Sequence, residues 1–204
     1  VKVFNWVSTM WKGSMTFETP MLFAIGFVVL FTIGGLSGLM LAIASVDLQY
    51  HDTYFVVAHF HYVMVGGMVM AFIGGLHFWW PKMTGRMYHE WTAKFTVIVI
   101  FIGFNLTFFP QFVLGFLGMP RRYHVYPEEW ETLHTLSTAG ATVLGFGFLM
   151  VLLYMPASLF FGKKAAANPW KARGLEWEHT SSPPQMENFE EIPTVTREAY
   201  AYAE

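Results

Sequence analysis

His51-Asp52-Thr53-Tyr54-Phe55-Val56-Val57-Ala58-His59-Phe60-His61-Tyr62-Val63 sets three histidines and an aspartate at the head of a long apolar run. From Phe55 to Trp80 there is no Lys, Arg, Asp or Glu. A helix of that length spans a bilayer core, which takes about 20 residues. His59 and His61 are therefore predicted to lie inside the membrane. An imidazole in hydrocarbon is costly unless it faces a bundle interior, a partner or a cofactor, so both are candidate functional groups.

On a helix, positions two apart are rotated by roughly 200°. His59 and His61 should thus point to opposite faces, with the ring of Phe60 between them. One metal ion cannot take both. Two cofactors on opposite faces can, and haem iron accepts an axial His; the simpler alternative is two histidines hydrogen-bonded to neighbouring helices. His51 and Asp52 lie at the membrane-water boundary of the same helix. An adjacent imidazole and carboxylate suit a hard or borderline cation such as Mg²⁺ or Mn²⁺, with waters and further ligands from elsewhere. Alternatively, Asp52 is the N-cap of the helix.

Composition agrees with a membrane protein. Hydrophobic residues make up 54%, aromatic residues 19% and charged residues 13%, far from a soluble domain. There is no cysteine, which excludes disulfides and thiolate metal ligands in this chain. The formal net charge of −2 gives no signal for nucleic acid, and none is expected as a partner.

Outward from the histidine stretch, the chain is predicted to be an all-α integral membrane protein: a transmembrane helix bundle made of the end of one helix, four complete spans and an extended tail. Val1-Lys2-Val3-Phe4-Asn5-Trp6-Val7 starts abruptly in apolar residues, so the 204 residues are expected to be a carboxy-terminal part of a longer protein. Trp11 to Thr19 form a loop, and Pro20 suits the first turn of a helix. Met21 to Ala44 is the first complete span, with Gly34, Gly35 and Gly38 allowing close helix approach. A loop from Ser45 to Gln49 leads into the histidine helix, which Trp79-Trp80-Pro81 close at an interface. The next loop holds Lys82, Arg86, His89, Glu90 and Lys94. Phe95 to Leu117 is a further span, kinked at Pro110, in which Asn105 and Gln111 satisfy backbone or neighbouring helices. The last span runs from about Leu133 to Phe161. The transmembrane bundle is thus residues 1–161, and residues 162–204 form a polar tail rich in proline, expected to lie on the bundle or on another subunit.

Alternating the ends puts Lys12, Lys82, Arg86, Lys94, Lys163, Lys164, Lys171, Arg173 and Arg197 on one face of the membrane and Arg121 and Arg122 on the other. The positive-inside rule then makes the tail inner and the histidine-helix entrance outer. His51, Asp52, Arg121 and Arg122 converge on the outer surface. Two adjacent arginines there offer planar donor forks suited to carboxylates, or they form a basic loop on lipid phosphates. Lys2 by itself suits a snorkelling lysine near a helix end.

The histidine stretch, VKVFNW at 1–6, NLTFFPQ at 105–111, GMPRRY at 118–123, and the LEW, SSPP and FEE pieces of the tail together resemble subunit I of the haem-copper oxidases, nearest to the aa3-type cytochrome c oxidases. The resemblance implies that His59 is the axial ligand of the high-spin haem at the oxygen site and His61 a ligand of the low-spin haem. It implies two haems, of the a and a3 kind. Arg121 and Arg122 would contact haem propionates, His51 and Asp52 would bind Mg²⁺, and Lys2 would belong to a proton channel.

Copper is also implied, with its three histidines and the second axial ligand of the low-spin haem lying upstream. His77, His89, His124, His134 and His179 are near helix ends, in loops or in the tail, and cannot supply them. Implied partners are the amino-terminal part of subunit I, subunits II and III, cytochrome c and the lipid of a bacterial or mitochondrial inner membrane. The expected activity is reduction of O₂ to water with electrons from cytochrome c, coupled to proton pumping. The tail piece FEEIPTV favours that branch over a quinol oxidase, and a non-catalytic di-haem electron carrier is the alternative of another class.

Overall fold

A computed structural model of the chain describes residues 1–185, 189 and 192–196; Arg197 and the acidic pair of the FEEIPTV piece lie outside the described residues. Four stretches are helical, long and apolar enough to cross a membrane: Thr19–Ala42, Tyr54–Thr84, Glu90–Phe116 and Glu128–Phe161. They are preceded by a short helix, α1 (Lys2–Met10), none of whose residues is buried. It leans on the first span through Trp6, whose ring lies 5.0 Å from Phe27 and 5.9 Å from Phe31.

The first span, α2 (Thr19–Ala42), carries Pro20 in its first turn, where a missing N–H costs nothing. The stretch expected as a loop from Ser45 to Gln49 is instead a short helix, α3 (Ala44–Tyr50), set off from α2 by extended Ile43. Asp47 in its first turn complements the helix dipole. The histidine span comprises α4 (Tyr54–Val63), a π-helical segment at Met64–Val69 and α5 (Met70–Thr84). An unbroken α-period was expected there. Gly66 and Gly67 are buried in the wide turn, and a Cβ on Gly66 would sit 2.8 Å from that of Leu30. The segment follows immediately on the two histidines, and such bulges are frequent at functional sites.

The third span is α6 (Glu90–Phe116), capped by His89, whose side chain accepts from Thr92 N. A 3₁₀ turn at Glu128–Trp130 leads into the fourth, α7 (Glu131–Phe161). The two helices touch backbone to backbone: a Cβ on Gly103 would lie 2.5 Å from Leu144 N, so glycine is required by the approach itself. The buried core runs between the spans through Phe23, Leu30, Tyr62, Met70, Ile100, Phe104, Leu144 and Met155. Leu36, Leu39, Phe72, Phe109, Leu152 and Phe160 are exposed outside it, as on helices whose solvent is lipid or another protein.

The tail is partly built. Strands β1 (Arg86–Met87) and β2 (Lys163–Lys164) pair antiparallel and tie the turn after α5 to the end of α7. A short helix, α8 (Leu175–Glu178), buries Trp177 against Phe78, ring centroids 4.9 Å apart. Lys82, expected in the loop after the histidine span, belongs to α5 and is 4% exposed. Its Nζ donates to Ala167 O at 2.9 Å, Thr180 O at 3.0 Å and Ser181 O at 3.2 Å, and lies 5.0 Å from the centre of the Trp177 ring. Carbonyl dipoles and an aromatic face replace the water that a lysine at a helix end would normally keep. Residues 165–183 therefore lie against the end of α5 and the turn after it.

Candidate functional site

The head of α4 decides where the polar residues stand. Thr53 is its N-cap, with its hydroxyl oxygen accepting from Phe55 N at 3.2 Å and its O–H donating to Tyr50 O at 2.7 Å. Of the two readings of Asp52, the cap is thus excluded: α4 begins one residue later, and Thr53 is the residue that caps it. Asp52 adopts a left-handed backbone at φ 52° and leaves its carboxylate exposed beside His51, Oδ2 lying 3.5 Å from Nε2. Asp47, one turn back on α3, approaches the other ring nitrogen at 3.6 Å; sequence reasoning did not single it out. Among the described residues no group of three or more His, Cys, Asp or Glu side chains converges as a complete metal site. The His51 and Asp52 pair could supply only part of a cation's ligand set.

The arginines come to the same end. Thr53 forms an isolated antiparallel bridge with Pro120, Arg121 N donates to Asp52 O at 2.9 Å, and Tyr54 N donates to Met119 O at 3.0 Å. These backbone bonds seat the loop after α6 on the head of α4. Arg121 is half-buried, its guanidinium carbon 5.9 Å from the centre of the Phe60 ring. Its Nε–H is buried and has no acceptor among the described residues, a state that ordinarily costs about 1–3 kcal/mol. An anionic oxygen is the acceptor its charge calls for. Arg122, at φ 70°, is exposed.

His59 and His61 face different neighbours. The Nδ1–H of His59 points to Gly34 O at 2.9 Å with Ser37 Oγ at 3.1 Å, both on α2. His61 donates from Nδ1 to Val57 O at 2.7 Å and stacks at 4.1 Å and 16° on Phe108 of α6. Each imidazole thus spends Nδ1 on a carbonyl, and among the described residues neither Nε2 has a hydrogen-bond partner. This is the arrangement of metal-ligating histidines, whose second nitrogen is held by a carbonyl or carboxylate. The donor set fits axial ligation of haem iron, and the orphaned Arg121 Nε–H fits a carboxylate oxygen.

Lys2 is not part of this gathering; it is exposed at the start of α1. His77 departs from its expected place near a helix end. It is fully buried in α5, donating from Nδ1 to Ile73 O at 2.7 Å and accepting at Nε2 from the Tyr154 hydroxyl. With both nitrogens engaged it cannot be a ligand. Tyr88, between the β1 turn and α6, packs edge-on against it at 4.9 Å; burial, reinforced by the Glu90 carboxylate, pushes its phenol above the ordinary range. Beside the head of α4, His134 stacks on Tyr126 at 3.9 Å and borders a groove of about 370 Å³ lined also by Thr135, Thr138 and Thr142. Ser37 and the His77–Tyr154 pair escaped sequence reasoning because their partners lie 22 and 77 residues away; Asp47, four residues before His51, and Thr53, beside the first turn of α4, are local signals that the spacing carried.

Comparison with known proteins bears on the whole chain. Residues 1–143 match the family described as cytochrome c and quinol oxidase polypeptide I. Cytochrome c oxidase subunit 1 of Synechocystis sp. is 49% identical over 195 residues, covering 96% of this chain and 35% of that protein. The subunit 1 of Bacillus sp. strain PS3 is 49% identical over 198 residues (96% and 32%), and that of Cereibacter sphaeroides 48% over 196 residues (95% and 34%). The chain therefore spans about a third of the length of these relatives. A cryo-EM structure of a heme-copper terminal oxidase dimer shares the fold with a TM-score of 0.64 at 24% identity, over 70% of this chain and 27% of that one.

Proposed function

Since this chain belongs to the cytochrome c and quinol oxidase polypeptide I family, we propose that it is part of the catalytic subunit of a respiratory terminal oxidase. The activity is reduction of O₂ to water with electrons from cytochrome c, coupled to proton movement. The observation that carries the reading is the pair of imidazoles on α4, each held at Nδ1 by a carbonyl and turned to a different neighbour. His59 would hold the high-spin haem and His61 the low-spin haem, of the a3 and a kinds. Bound there, the haems would supply electron transfer and oxygen reduction.

The remaining residues act on charge and position. Arg121 and Arg122 would accept the propionates, giving the buried Nε–H of Arg121 its missing acceptor and raising the haem potentials through their positive charge. His51 and Asp52 would contribute to a Mg²⁺ site that borrows ligands from elsewhere. Lys2 would serve a proton path toward the oxygen site. Copper would take its ligands from outside this chain, since every histidine not assigned above is engaged, in a loop or in the tail. Partners would be the remainder of subunit I, subunits II and III, and cytochrome c. By the positive-inside rule, the Lys82 end and the tail would lie inside and the His51 end outside.

Optical spectra of the reduced intact complex, with and without CO, test this. One haem of two should bind CO; His59→Ala should remove that component and His61→Ala the other. Two haems that both ignore CO would point to a di-haem electron carrier, and turnover with quinol but not with cytochrome c would move the chain to the quinol branch.

A further inference from the structure

We propose that Ser37 is a positioning residue for His59, setting which of its ring nitrogens is free to bind iron; the inference rests on His59 being a haem ligand. Ser37 lies on α2 and is 6% exposed. Its O–H donates to Gly34 O at 2.8 Å. The same carbonyl lies 2.9 Å from His59 Nδ1, and Ser37 Oγ lies 3.1 Å from that nitrogen. A carbonyl oxygen only accepts, so Nδ1 carries the proton. The single hydroxyl proton of Ser37 is spent on Gly34 O, so Oγ presents a lone pair to the ring. The Nδ1–H is shared between two acceptors, and Nε2 is left as the lone-pair nitrogen.

The plainer account is a serine that merely closes a hydrogen bond to its own helix. Thr32 of α2 and Thr96 and Thr107 of α6 do this, to Val28 O, Thr92 O and Gly103 O. Ser37 differs in what lies beyond the oxygen: its back-bond consumes the only proton and turns the remaining lone pair on an imidazole across the helix interface. Gly38 makes the room, since a Cβ there would stand 2.7 Å from His59 Cε1. Moving the ring proton to Nε2 would set a nitrogen lone pair against two acceptor oxygens. Two acceptors on one N–H also resist rotation of the ring and make Nε2 a stronger donor to a metal.

The test is resonance Raman spectroscopy of the reduced, ligand-free intact complex, following the iron–histidine stretching band of the five-coordinate haem. Ser37→Ala should shift this band to lower frequency and broaden it, and should lower retention of that haem about 10-fold. The low-spin haem should be unaffected, and Ser37→Thr, which keeps the hydroxyl, should restore the band. If Ser37→Ala does not assemble, Ser37→Cys should move the band in the same direction by less. A band that stays in place in Ser37→Ala, or in Ser37→Cys, while His59→Ala abolishes it overturns the proposal. A band that survives His59→Ala would instead refute the assignment of His59 itself.

Discussion

Gly38→Ala is the perturbation whose effect at the histidine site can be worked from distances. The added methyl would lie 2.7 Å from His59 Cε1 and 3.5 Å from both ring nitrogens, whereas carbon atoms in ordinary contact are about 3.5 Å or more apart. The ring must retreat by about 0.8 Å. A retreat of that size along the Nδ1–Gly34 O direction takes the bond from its present 2.9 Å out of hydrogen-bond range. Overpacking of this kind typically costs about 1–3 kcal/mol; to the extent that binding at Nε2 pushes the ring back into that contact, a middle value of about 2 kcal/mol weakens the binding about 30-fold. The assay is the haem content of the purified complex, with the CO-binding component measured separately from the other. The expected result is selective loss of the CO-binding haem while the His61 component persists. Full occupancy of both, with unchanged spectra, would refute the claim that α2 positions His59.

Lys82→Met keeps the stem and removes the ammonium from its three carbonyls; with each charged hydrogen bond contributing about 1.5–3 kcal/mol before desolvation is offset, a net loss of about 2–3 kcal/mol should raise opening of residues 165–183 by about 30- to 150-fold. Hydrogen exchange and limited proteolysis of the tail would show this at unchanged haem spectra, and an equally protected tail would sink the anchoring role. Thr53→Ala should cost about 1 kcal/mol by removing the α4 cap, read as a lower melting temperature of the complex. Asp52→Ala should cost less, and the reverse order would restore Asp52 as the capping residue.

The four spans and the opposed directions of His59 and His61 were readable from the chain alone, because both depend on local periodicity: charge-free length for a span, and roughly 200° of rotation for positions two apart. The convergence of His51, Asp52, Arg121 and Arg122 on one end followed from counting spans. Tertiary structure decided the rest. Thr53 rather than Asp52 caps α4 because Asp52 takes a left-handed backbone, while its C=O accepts from Arg121 N. Lys82 became a buried anchor because a tail 85 residues away in sequence brings it a carbonyl, and a window of neighbouring residues contains no trace of that partner. His77 looked like a helix-end histidine until Tyr154 of another span engaged it, and Ser37 looked like one more small residue on a glycine-rich helix face until His59, 22 residues on, was brought against it. Periodicity reports which side of an element is apolar, whereas the partner of a polar atom is set by long-range packing, and only the folded chain supplies it.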